Sequence, residues 1–178
     1  MILPIMYYGN PVLRKKTGCV DGIDAELRQL VQDMIETMDA TDGAGLAAPQ
    51  VNKSLSLFIT KHPILVGEDT PKAHYIEGKL RIFINPKILA YSEEMTVRSE
   101  GCLSIPGLYG DVVRPISIKV QATNLEGELF EEELSGNDAR AFMHENDHIN
   151  GVLYIDRLSP KERKMLEPHL HKIKKQYR

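Results

Sequence analysis

Cysteine is scarce in this sequence. Among 178 residues only Cys19 and Cys102 occur, too few for a disulfide framework, so each needs its own explanation. No apolar run approaches the ~20 residues that a membrane-spanning helix requires. The first residues are interrupted by Pro4 and Gly9-Asn10, and Arg14, Lys15 and Lys16 follow the apolar stretch instead of preceding it, the wrong order for a secretory signal. The expected location is the cytoplasm, with no membrane partner. An excess of positive charge is also missing: 22 Lys+Arg against 25 Asp+Glu leave a net charge of −3. Without a global positive field, a sequence-specific nucleic-acid partner is not expected, and any polyanion contact must be local. Repeats and low-complexity tracts are absent, so the length predicts one domain spanning 1–178. What is present, 42% hydrophobic and 26% charged residues, suits a globular chain with a packed core.

The periodicities predict an α+β fold: short antiparallel β-sheets packed around a central helix, with an amphipathic helix before it and another helix at the C-terminal end. In 24–39, Asp24 is placed to cap a helix whose Leu27, Leu30, Val31, Met34, Ile35 and Met38 form one apolar stripe. From there to about 134 the period changes to two, with strands expected at 55–60, 80–84, 116–123 and 128–134 and a hairpin turn at 124–127. The stretch 61–79, with Pro63, Gly67, Pro71 and Gly78, is expected to loop over the surface. A central helix is expected from Asn137 to Asn150, stopped by Gly151 in a left-handed cap. The run 152–158 then reads as a short strand or extended segment. Ser159-Pro160-Lys161-Glu162 carries a cap, a proline at the first helical position and a capping-box glutamate, opening a last helix that Pro168 should kink or shorten.

The sharpest chemical signal is His144-Glu145-Asn146-Asp147-His148 in the central helix. Four residues are slightly more than one helical turn, so both imidazoles leave one face and are able to share a cation, with Glu145 beside the first as a proton carrier. A catalytic site needs a third protein ligand and one open position. A three-histidine metalloprotease would place a histidine where Tyr154 stands, and Glu167, a downstream acid, lies next to the disruptive Pro168. Cys102, in Glu100-Gly101-Cys102-Leu103-Ser104, is the better candidate, though taken by itself it reads slightly more readily as a buried free cysteine; Cys19 has no second ligand or base near it and reads as an ordinary free cysteine. In Gly43-Ala44-Gly45-Leu46-Ala47-Ala48-Pro49-Gln50, the glycines permit close backbone approach, and Gln50 offers an amide able to donate to a carbonyl oxygen.

Taken together, GAGLAAPQ, EGCLS and HENDH resemble the three motifs of the peptide deformylase family, GxGLAAxQ, EGCLS and HExDH. The likeness extends to YYGNPVLRK near the start, to INPKI at 84–88 and to Arg114-Pro115. The resemblance implies a metallohydrolase that removes the N-formyl group from the initiator formyl-methionine of nascent chains. It implies one divalent metal ion on Cys102, His144 and His148 with a water as fourth ligand, Fe(II) being expected and Zn, Ni or Co able to substitute. It assigns Glu145 as proton shuttle and the Gln50 side chain and the Leu103 backbone N–H as oxyanion hole. The peptide would lie against the backbone at Ala44, Gly45 and Gly101, where the missing glycine side chains would leave it room, and the methionine side chain on the helix face of Arg140 and Ala141.

The chain departs from the family's frequent residues at Asn52, Tyr109, Asn137, Arg140 and Met143, which touches fine specificity and leaves ligands and catalytic groups in place. Two other readings compete: a zincin-like endopeptidase, and a non-catalytic module with a structural Cys-His-His metal, for which Glu145 would have no use. The last eighteen residues hold seven Lys/Arg against two acids. This reads either as a solvated helix face or, by the same resemblance, as a contact with ribosomal RNA.

Overall fold

The computed structural model describes residues 1–178. A 3-10 turn over Pro11–Arg14 leads to helix α1, Ala25–Ala40, which starts where Asp24 accepts a hydrogen bond from the Leu27 amide at 2.8 Å. Strands β1 (Gly45–Ala47), β2 (Leu57–Thr60), β3 (Ile64–Val66) and β4 (His74–Ile76) follow, then β5 (Arg81–Tyr91), β6 (Met95–Cys102), β7 (Ile105–Pro115), β8 (Ser117–Thr123) and β9 (Leu129–Ser135). Helices α2 (Gly136–Ile149) and α3 (Pro160–Gln176) complete the chain.

The main sheet is antiparallel with order β1-β2-β5-β8-β9. Its alternation explains why both faces are covered. Leu46, Leu57, Ile59 and Ile84 pack with the apolar stripe of α1, while Ala47, Phe58, Phe83, Val120 and Ala122 pack with Ala139, Phe142, Met143 and Ile149 of α2. Phe142 meets Phe58 and Phe83 edge-on, with centroids 4.9 and 4.8 Å away. That packing fixes α2 against the sheet and sets the direction of its histidines. A third cluster joins Ile105 and Val112 of β7 to Leu153–Ile155 and to Leu170 and Ile173 of α3.

Four expectations need correction. The 61–79 stretch is not a plain loop: β3 and β4 pair as an exposed hairpin, its prolines and glycines lying outside the paired residues. Residues 152–158 form no strand; Tyr154–Arg157 is a 3-10 turn whose apolar side chains are buried under α3 and β7. Pro168 does not shorten α3, which runs unbroken from Pro160 to Gln176; the carbonyl it leaves without a donor is that of exposed Lys164. The strands expected between 55 and 134 leave out β6 and β7, which form a separate two-stranded sheet.

Candidate metal centre

The β6–β7 hairpin is long and regular until it nears its turn. Glu100 pairs with Gly110 and Cys102 with Ile105, so Pro106 to Tyr109 bulge out opposite Gly101 alone. Leu103 and Ser104 make the turn itself. The hairpin therefore ends with the Cys102 side chain aimed at α2, where its Sγ lies 3.2 Å from His148 Nε2. On α2 the His144 and His148 rings leave one face with centroids 5.2 Å apart. One donor atom from each of Cys102, His144 and His148 falls within 4.8 Å of the others. Ligand distances of ~2.0–2.3 Å around a tetrahedral ion place donors ~3.3–3.8 Å apart, so this group fits one cation. Three donors leave one tetrahedral position for a ligand from outside the protein.

The surroundings orient those donors. His144 Nδ1 donates to Glu100 Oε1 at 2.9 Å, which leaves Nε2 for the centre. Burial works against charge on Glu100, yet hydrogen bonds from Arg114 and His144 outweigh it and hold its carboxyl well below the usual carboxylate range. Arg114 donates to both Glu100 oxygens and, at 3.0 Å, to Asp147, which also accepts two hydrogen bonds from Arg157. Burial lowers the pKa of His148, keeping it a neutral imidazole suited to ligation. For His144 burial also opposes charge, but hydrogen bonds to Cys102 and Glu100 prevail and raise its pKa. A cation must therefore displace a proton there.

Glu145 is only 4% exposed, and its Oε2 has no hydrogen-bond partner. Burial pushes its carboxyl up to about 7. It lies against β1: a Cβ built on Gly45 would stand 2.6 Å from Glu145 Oε1. At Gly101 a Cβ would stand 2.7 Å from the Tyr109 ring. The space that a side chain would need at these two glycines is thus taken by the chain's own side chains.

Gln50 closes the other side. Its Oε1 accepts from the Ala47 amide at 2.9 Å, which turns Nε2 toward Ser104 Oγ at 3.1 Å and Cys102 Sγ at 3.5 Å. Ala44, Gly45, Gln50, Gly101, Cys102, Leu103, Arg140, Ala141, His144 and Glu145 all line one cavity of about 640 Å³, and His148 lies buried behind it. Cys19 is exposed and outside it. Tyr154 is no ligand: it is buried, its hydroxyl donates to the Leu108 carbonyl at 3.0 Å, and its ring lies 6.2 Å from that of His144. Glu167 is held by Arg163 on α3.

Sequence reading gave no role to Ser104, Asp147, Arg157 or the cavity-lining His62. Glu100, two residues before Cys102 on β6, is likewise without a role at that level, and none of these residues stands at a spacing that announces it.

Comparison with known proteins agrees with this arrangement. The family model for polypeptide deformylase matches residues 2–164. A peptide deformylase of Acinetobacter baumannii is 40% identical over 175 residues, covering 98% of this chain and 93% of that protein. The chloroplastic/mitochondrial peptide deformylase 1B of Arabidopsis thaliana is 39% identical over 98% of this chain, which spans 61% of that longer relative. Among solved structures, the peptide deformylase of Thermotoga maritima is 43% identical with a TM-score of 0.79, covering 90% of this chain and 99% of that one. That of Ehrlichia chaffeensis is 34% identical with a TM-score of 0.87, covering 99% and 97%. With its motifs, fold and three-donor centre in agreement, the chain belongs to the peptide deformylase family.

Proposed function

We propose that this centre hydrolyses the formyl amide at the start of N-formylmethionyl peptides, releasing formate and a free amine. The observation that carries the reading is a buried, unpartnered carboxyl, Glu145, placed beside a Cys-His-His donor group at the wall of an open cavity. One thiolate with two imidazoles suits Fe(II) or Zn(II) more than Mg or Ca. We assign Fe(II), with Zn, Ni or Co as substitutes; when bound, the ion supplies Lewis acidity and makes water nucleophilic near neutral pH. Glu145 accepts the proton of the attacking water and passes it to the departing amine. Gln50 Nε2 and the Leu103 N–H donate to the oxyanion that forms on the formyl oxygen, and losing one such donor typically costs ~2.7–4 kcal/mol in the barrier. The peptide adds to the edge of β1 at Ala44 and Gly45, since β1 pairs only with β2, while Gly101 forms the facing wall. Arg140 and Ala141 on α2 border the methionine side chain. The deciding assay is formate release from formyl-Met-Ala-Ser by metal-loaded protein; cleavage of an internal bond with no formate would refute the reading.

We place the enzyme in the cytoplasm, where its two unbridged cysteines are at home, and no helix is long and apolar enough to cross a membrane. For the ribosome we assign the exposed basic face of α3, including Lys161, Lys164 and Lys172. Deleting the end of α3 would test this poorly, because Ile173 is buried and Tyr177 stacks on Tyr7 with centroids 3.7 Å apart. Lys161→Glu, Lys164→Glu and Lys172→Glu together keep that packing and should abolish salt-dependent co-sedimentation with ribosomes; unchanged co-sedimentation would make the face merely solvated.

A further inference from the structure

We propose that Arg140 is a positioning residue of the metal centre, holding Glu100 in the orientation that fixes the His144 ring. The proposal rests on the reading of Cys102, His144 and His148 as ligands.

Arg140 lies one helical turn before His144 on α2. Its Nη1 donates to Glu100 Oε2 at 2.7 Å and to the Val112 carbonyl at 3.0 Å, and its Nη2 donates to the Thr96 carbonyl at 2.9 Å. One guanidinium thus spans both strands of the β6–β7 hairpin and grips the carboxylate between them. A carboxylate has about four lone-pair positions. In Glu100 each is taken: Oε2 accepts from Arg114 Nε at 2.6 Å and from Arg140, while Oε1 accepts from Arg114 Nη2 and His144 Nδ1, both at 2.9 Å. A saturated carboxylate has no free position with which to turn toward water, so its plane, and the ring that donates to it, are set.

The two arginines differ in where they sit. Arg114 is 3% exposed and off the cavity, whereas Arg140 lines the cavity beside Glu100 and covers part of its carboxylate there. Because its polar end is committed to Glu100 and two carbonyls, the methylene stem is what remains for the cavity wall. An apolar residue there would preserve the wall and open Oε2. Loss of an outer partner of a histidine ligand typically costs ~10–100-fold in metal affinity.

The test compares parent, Arg140→Leu, Arg140→Gln and Arg140→Lys, each loaded with Co(II) and followed by its absorption bands during chelator challenge well below the melting point. Metal release should be at least about tenfold faster in the Leu and Gln variants and partly restored in Lys. Release within about twofold of the parent in either the Leu or the Gln variant overturns the proposal, so a failure of one to fold does not shield it. Cys102→Ser serves as the control: if it also keeps metal like the parent, the ligand reading fails and not the role of Arg140 alone.

Discussion

At the scale of single residues the chemistry turns on Glu145. Its carboxyl is raised to about 7 by burial, so near neutral pH it is able both to take and to return a proton. A base must be ionised to act, so activity falls as pH falls through its pKa. A cation at Cys102, His144 and His148 favours the anion and lowers that pKa. The acid limb of kcat/KM in the loaded enzyme is therefore expected below pH 7, and a midpoint above 7 would contradict the assignment. Glu145→Ala should retain metal and lose kcat by about 10²–10⁴-fold, as removal of a positioned proton carrier does; full activity would remove its role. Gly45→Ala probes the same carboxyl from the opposite side. A methyl 2.6 Å from Glu145 Oε1 must displace it, so kcat should drop at least about tenfold while overpacking costs only ~1–3 kcal/mol of stability. If urea denaturation shows that stability loss but turnover is unchanged, Glu145 does not need its present place.

At the scale of elements, α2 carries both histidines and depends on how it ends. Gly151 follows the helix with φ 74°, and a Cβ there would stand 2.6 Å from the Arg14 carbonyl oxygen. Gly151→Ala combines a left-handed backbone with a backbone clash, so it should destabilise by more than ~1 kcal/mol and shift the urea midpoint without changing the slope; an unmoved midpoint would show the cap to be dispensable. This cap was legible in the sequence, as were Asp24 before α1, Ser159 before α3 and the β8–β9 hairpin, because each is signalled by residues a few positions apart. The β3–β4 pair was not, since its prolines and glycines mask two three-residue strands. The β6–β7 sheet was missed because four residues bulge opposite Gly101 and break the alternation where the site begins. For the centre, His144 and His148 declare themselves by their spacing. Joining Cys102 to them took the likeness to a family, as the contact crosses 46 residues. The Glu100–Arg114–Asp147 network, with partners 14 and 33 residues apart, leaves no local pattern at all.

At the scale of the whole molecule, two separately built parts meet at the centre. The five-stranded sheet with α1 and α2 forms one, and the β6–β7 hairpin, which shares no ladder with that sheet, forms the other. They are joined across α2 by the Arg114–Asp147 and Arg140–Glu100 ion pairs and by the Cys-His-His group. Buried ion pairs of this kind are strongly destabilising when broken but contribute little net stability when intact. A cation held by donors from both parts binds the folded chain and not the unfolded one, so it should account for much of the stability of the junction. At a free metal concentration 1,000 times Kd this linkage amounts to about 4.1 kcal/mol. For a chain of this size each kcal/mol shifts Tm by ~2–4 °C, so stripping the metal should lower Tm by roughly 8–16 °C. Cys102→Ser should start near the stripped value and respond little to chelator, while Cys19→Ser should follow the parent, because Cys19 is exposed and remote from the donor group. Equal melting curves for the parent with and without chelator would mean that the hairpin and the helix are held together without the ion, and that its place is chemical only.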